Sequence, residues 1–300
     1  MFKTVFLSFC LYACLWLPNL AFAKNAPEVK VQEGLILAAF GTSVPEAKIA
    51  FQAVETAFKK HFTDIPIVWI YTSQIIRKKL AKQGEHILGI SEALDNLAKQ
   101  GIEVVRVQPL HVLAGEEFTE LERALLLDIA KHPKRFKAVY LGRPLMESTE
   151  DAQILGQALV REAASKRKPE TALVLMGHGQ EQGRAGLAFE GVRAVFSELA
   201  ANIFMATVEG QRDFETLLKE LKAHHIKQVL LRPLMVVAGD HARNDMSGPE
   251  EDSWASRLKA SGFEVSVNLE GLGVLPEVGS LYIKHALESK DDLVKEPKKQ

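Results

Sequence analysis

Three residues form a candidate set. His178 lies in Met176-Gly177-His178-Gly179, Glu209 in Ala206-Thr207-Val208-Glu209-Gly210, and His241 in Ala238-Gly239-Asp240-His241-Ala242-Arg243-Asn244-Asp245. Two imidazoles and a carboxylate make an open ligand set for a borderline divalent metal such as Co²⁺, Fe²⁺, Ni²⁺ or Zn²⁺. Three protein ligands leave positions free for exchange with a substrate. Imidazole titrates near neutrality, so His178 is also a candidate proton acceptor, with Glu209 as a second proton route. No two of the three share a compact motif, so only a converging fold can make them one site. Each alone is equally explained as a capping or loop-fixing polar group. Ser43, His178 and Asp240 can be assembled into a Ser/His/Asp set, but no spacing favours it. The chain has no G-x-S-x-G elbow and no G-x-x-x-x-G-K-[ST] loop, hence no sign of ATP use.

The elements that would bring these residues together follow from periodicity. Short apolar runs (35–40, 67–71, 103–110, 137–142) alternate with helical stripes, as expected for a parallel sheet covered on both faces. Ser43, Pro45 and Glu46 read as the N-cap, first turn and capping-box partner of a helix whose stripe is Ile49, Ala53, Val54, Ala57 and Phe58. The second half repeats the plan. TALVLMGHG reads against LILAAFGTS, and NIFMATVEG takes the place of IVWIYTSQ. Gln108-Pro-Leu-His-Val-Leu-Ala-Gly115 matches Arg232-Pro-Leu-Met-Val-Val-Ala-Gly239, with Pro-Leu and Ala-Gly in register.

The expected fold is α/β: two pseudo-symmetric Rossmann-like domains, each a mainly parallel sheet flanked by helices, around a central cleft. Residues 24–148 form the first domain, 149–170 a linker helix, 171–275 the second domain with the metal site, and 276–300 a terminal helix and basic tail. Ligands of such folds sit at the carboxyl ends of the strands, where His178, Glu209 and His241 all fall. The corresponding positions of the first half are Phe40 or Thr42, Tyr71 to Ser73, and Glu117. That half therefore reads as a cleft wall, with Phe40, Tyr71 and Leu113 able to pack on a flat apolar ligand. His111, in the place of Met235, reads either as a cleft-facing residue or as a satisfied core histidine, the second being the preferred reading. The histidines at 61, 86, 132, 224, 225 and 285 read mostly as solvent-facing or helix-capping.

Composition narrows the partners. With 37 Lys+Arg against 38 Asp+Glu in 300 residues, a generally basic nucleic-acid binder is excluded. The first 23 residues carry Lys3, an apolar run and Ala21-Phe22-Ala23, which match a cleaved secretory signal peptide. A membrane anchor and a lipoprotein box at Leu11-Tyr12-Ala13-Cys14 are the alternatives. Cleavage leaves no stable membrane span and implies a periplasmic protein. Cys10 and Cys14 are the only cysteines, so the mature chain has no thiol for a disulfide or a metal.

LILAAFGTS, QPLHVLAGEEF, LVLMGHG, the ATVEG segment and RPLMVVAGDHARNDM resemble the anaerobic cobaltochelatase (CbiK) family, a type II chelatase, over about residues 33–288. The resemblance implies two chelatase-like α/β domains around a tetrapyrrole cleft. It implies insertion of Co²⁺ into sirohydrochlorin without ATP, related enzymes taking Fe²⁺ or Ni²⁺. Carried over, the catalytic histidine falls on His178, the acidic ligand on Glu209 and the second histidine on His241. The signal peptide departs from the usual cytoplasmic member and resembles the exported form. Sirohydrochlorin is rich in carboxylates, which guanidinium groups suit. Arg184, Arg232 and Arg243, and less directly Arg143 and Lys48, lie near strand ends. The substrate-binding candidates are Phe40, Ser43, Tyr71, Arg184 and Arg243. The alternatives are a ferrochelatase-like enzyme inserting Fe²⁺ for sirohaem or haem, and a periplasmic metal or tetrapyrrole carrier without turnover. A homo-oligomer is compatible with all three.

Overall fold

The structure, a computed structural model, describes residues 31–181 and 183–295. The expected signal peptide, both cysteines and the end of the basic tail lie outside the described residues.

The first repeat folds as β1 (Glu33–Ala39), α1 (Lys48–His61), β2 (Ile67–Tyr71), α2 (Gln74–Lys82), α3 (Ile90–Lys99), β3 (Val104–Pro109), α4 (Glu116–Lys131) and β4 (Ala138–Leu141). Helix α5 (Thr149–Ala164) leads to the second repeat. This comprises β5 (Ala172–Gly179), α6 (Arg184–Leu199), β6 (Ile203–Glu209), α7 (Phe214–Ala223), β7 (Gln228–Pro233), α8 (Trp254–Ala260) and β8 (Glu264–Val267). Helix α9 (Pro276–Glu288) follows. The sheets have the same order, β2-β1-β3-β4 and β6-β5-β7-β8, and all neighbouring strands are parallel. Leu35–Ala38 and Ala172–Met176 have no exposed surface. That is why their sequences lack alternation: both faces of each sheet are covered.

One apolar cluster joins the two repeats. It takes Leu35 and Leu37 from β1, Leu173 and Leu175 from β5, Phe51 and Phe58 from α1, Leu155 and Leu159 from α5, Phe196 from α6, and Tyr282 from α9. Helix α5 packs against α6 of the second repeat, while α9 returns to α1 and β3 of the first. Polar bonds pin α9 there. The Tyr282 hydroxyl donates to the His111 carbonyl at 3.2 Å, Arg106 donates to the Ala286 carbonyl at 3.0 Å, and Ser289 donates to the Leu141 carbonyl at 2.7 Å.

Four local expectations are corrected. Ser43 does not cap α1: a 3-10 turn at Pro45–Ala47 precedes the helix, and the Thr42 hydroxyl accepts from the Val44 amide at 3.1 Å. Ile49 is 62% exposed, because the inward stripe runs through Ala50, Phe51, Val54 and Phe58. Ile49 stands about 200° around the helix from Phe51. His285 is fully buried, with Nε2 3.2 Å from the Asp151 carboxylate and Nδ1 3.3 Å from the Arg143 carbonyl. Finally, His111 is a core residue but not a satisfied one. Neither ring nitrogen has a partner among the described residues. Its ring packs edge-on against Phe118, with centroids 6.3 Å apart.

Burial pushes His111 down to about 4. The folded state therefore keeps the ring neutral while the unfolded chain protonates it below about pH 6.5. Stability is lost as pH falls from there towards 4. Replacing His111 by Met, the residue of the equivalent place Met235, should remove this loss. At pH 5 the H111M variant is expected to gain about 2 kcal/mol relative to its own difference from wild type at pH 7. Urea unfolding at the two pH values measures it; an equal pH dependence of the two proteins would contradict the account.

Candidate active site

Strand β5 ends in Gly177-His178-Gly179, where Gly179 permits an approach that no other residue allows. Gly179 has φ +84°, and a Cβ there would lie 1.9 Å from the Glu209 carbonyl oxygen. Gly177 faces Phe189 and the Thr207 methyl. Gly179 is therefore register partner to Glu209, and His178 sits beside that acidic strand end. His241 reaches the same place from the other side. It immediately precedes a π-helical turn, Ala242–Met246, after the loop that follows β7. The His178 and His241 rings are 4.7 Å apart between centroids and inclined at 87°. The Nδ1 atom of His178 is 3.0 Å from the Gly179 carbonyl, and that of His241 bonds the Asp245 carboxylate. Each ring thus keeps Nε2 for an external partner. The Glu209 residue is exposed. Among the described residues no three His, Cys, Asp or Glu groups close into a metal cage. The arrangement is an imidazole pair with carboxylates around it.

The strand register shows how the two halves correspond. Ala38 pairs with Pro109, and Met176 with Pro233. Phe40 therefore corresponds to His178, Gly41 to Gly179, Ser73 to Glu209 and Glu117 to His241. Of the two first-half positions open to His178, Phe40 and not Thr42 is its counterpart. The strand-end loops of the halves meet. A Cβ on Gly239 would lie 3.6 Å from the Thr42 hydroxyl, and one on Gly115 3.3 Å from the Gln180 side chain. Through this contact Glu117, in the first turn of α4, joins the electrostatics of the imidazole pair. Burial pushes its carboxyl above the usual range. The charge of His178 acts against that rise, and Glu120, Glu116 and Glu209 add to it.

The remaining candidates separate clearly. Phe40 is 44% exposed at its strand end. Arg243 donates from Nε to the Ala238 carbonyl at 3.2 Å, its one side-chain hydrogen bond among the described residues. Arg184 donates to the Ala114 carbonyl at 3.2 Å and to the Thr119 hydroxyl at 3.0 Å, and lies over the Phe118 ring. It ties the second half to α4. The Ser43 hydroxyl is buried without a partner among the described residues. Tyr71 is not a cleft wall: its ring is buried against Phe51 and beneath Gly41, and burial, then Glu85, pushes its hydroxyl up to about 12. Arg232 is not at the cleft either. It is 1% exposed and paired with Glu162, and burial lowers it to about 10. Lys48 and Arg143 are occupied by Glu85 and Glu288.

The family model for cobalt chelatase (CbiK) matches residues 33–291. The chain belongs to the CbiK family. It is 32% identical over 271 residues to the sirohydrochlorin cobaltochelatase of Salmonella typhimurium, covering 89% of this chain and 99% of that protein. It is 29% identical over 264 residues to sirohydrochlorin cobaltochelatase CbiKC of Nitratidesulfovibrio vulgaris, covering 87% and 93%. Its fold is that of the SirB chelatases. SirB from Bacillus subtilis with Fe³⁺ superposes with a TM-score of 0.61 at 16% identity, covering 86% of this chain and 95% of that one. The cobalt complex of SirB from the subspecies spizizenii gives 0.57 at 15% identity, covering 86% and 94%.

Within this CbiK-family site, sequence reasoning left two residues without a role. Glu117 was visible only as a repeat position, and nothing in its local sequence shows that α4 approaches β5. Asp245 carried a usable signal: it lies four residues after His241, one helical turn on. The close approach at Gly179 yields a test. Gly179→Ala should destabilise the protein by roughly 2–4 kcal/mol and lower metal affinity, since the Cβ would collide with the Glu209 backbone. Denaturant midpoints and Co²⁺ titration check this; wild-type values for both would contradict the packing argument.

Proposed function

We propose that this chain inserts Co²⁺ into sirohydrochlorin, without ATP and outside the cytoplasm. Family membership over nearly the whole described chain supports the reaction. The observation that carries the site is the imidazole pair, with both Nδ1 atoms engaged and both Nε2 atoms left to bind. In this reading His178 and His241 take the incoming ion, and Glu209 adds negative charge from the neighbouring strand end. Two protein nitrogens and a carboxylate release a divalent ion more easily than a closed cage of four ligands would.

The macrocycle must lose two N–H protons for each Co²⁺ that enters. In this reading His178 takes one. Glu117, whose partly buried carboxyl holds protons more tightly than an exposed one, takes the other in this reading. No phosphate transfer is needed, because metal–nitrogen bond formation drives the exchange. Phe40 offers an exposed apolar face to the flat ring, and Arg243 keeps its terminal guanidinium nitrogens for substrate carboxylates. Arg184 contributes as the tie between α6 and α4 rather than as a free cation. The exported location rests on residues 1–23 alone.

The test follows the visible bands of sirohydrochlorin with Co²⁺ in ATP-free buffer. Wild type is expected to metallate it, and His178→Ala to lose about a hundredfold or more in rate. Binding of macrocycle without any metallation would favour a carrier. Faster insertion of Fe²⁺ than Co²⁺ under anaerobic conditions would reassign the metal.

A further inference from the structure

The ring of His241 is held by a group outside the proposed ligand set. Asp245 Oδ2 lies 2.5 Å from His241 Nδ1. An ionised carboxylate only accepts, so Nδ1 carries the proton and Nε2 keeps its lone pair. His178 reaches the same tautomer by another route, since the Gly179 carbonyl 3.0 Å from its Nδ1 also only accepts. Backbone fixes one ring and a side chain fixes the other. The π-helical turn that carries Asp245 is closed by contacts of its own. The Ser247 hydroxyl donates to the Ala242 carbonyl and the Gly248 amide to the Asn244 carbonyl, both at 2.8 Å. A Cβ on Gly248 would lie 2.5 Å from that Asn244 oxygen. Asp245 takes part in none of these contacts. Its side chain and that of His241 are 44% and 40% exposed, and an ion pair so exposed adds little to folding.

We propose that Asp245 is a positioning residue, which holds His241 in the Nδ1–H tautomer and aims Nε2 at the incoming divalent metal. The proposal rests on the reading of His241 as a metal ligand. A carboxylate behind a ligating imidazole raises its basicity and fixes its orientation, and loss of such a partner typically costs about 10–100-fold in metal affinity. Asn at this position is isosteric, yet its amide can donate to Nδ1 and stabilise the wrong tautomer.

The experiment compares Asp245→Asn, Asp245→Glu and His241→Ala in the metal-free and Co²⁺-titrated protein, without macrocycle. Nitrogen NMR of histidine-labelled protein reads the tautomer, and visible absorption of bound Co²⁺ reads affinity. D245N is expected to move His241 towards Nε2–H and to weaken Co²⁺ about 10–100-fold at unchanged thermal stability. D245E should restore part of both. An unchanged His241 tautomer and Co²⁺ affinity in D245N, beside a clear loss in H241A, would overturn the role of Asp245 alone. Unchanged Co²⁺ binding in H241A would overturn the ligand reading, and the proposal with it.

Discussion

The inner faces of the two sheets share one apolar layer, and the position of every functional side chain depends on it. Leu35 and Leu37 meet this layer from one sheet, and Leu173 and Leu175 from the other. Helices α5 and α9 fill it. Each fully buried leucine in it contributes about 1.5–3 kcal/mol of transfer free energy. With the sheets joined through a common core, their strand-end loops meet at Thr42–Gly239 and Gly115–Gln180. Those contacts bring α4 of the first repeat to the imidazoles of the second.

The shared topology makes the chemical asymmetry legible. Equivalent backbone positions hold Phe40 and His178, Ser73 and Glu209, Glu117 and His241. One half keeps the two imidazoles, and the other offers an apolar ring and a single acid. The proposed reaction would use both: a polar side to deliver the ion and an apolar surface on which the ring can lie. Two arginines follow the same division of labour. Arg232 is enclosed with Glu162 and serves the junction of α5 with β7, whereas the outer nitrogens of the half-buried Arg243 have no partner among the described residues.

Much of the fold and part of the site were legible in the amino-acid sequence. Short uninterrupted apolar runs such as LILAA and ALVLM, alternating with helical stripes, read as strands covered on both faces, so a parallel sheet follows. The recurrence of Pro-Leu and Ala-Gly disclosed the duplication, and the rule that ligands gather at carboxyl strand ends pointed to His178, Glu209 and His241. These signals are read from single segments, or from comparing one segment with its repeat, without reference to packing.

What needed tertiary structure was every property set by approach between distant segments. Tyr71 and Arg232 stand near strand ends in sequence, yet both point into the core, because side-chain direction depends on the sheet face each position takes. His285 looked like a helix-end histidine and is buried against Asp151, 134 positions earlier in the chain. The raised carboxyl of Glu117 depends on α4 reaching β5. By itself the sequence determined which residues could bind a metal and at which ends of which strands they lie, since composition and periodicity are properties of single segments. The tertiary structure alone decided which of them meet and which nitrogen each imidazole presents, because distance and hydrogen-bond partners arise only when separate segments pack.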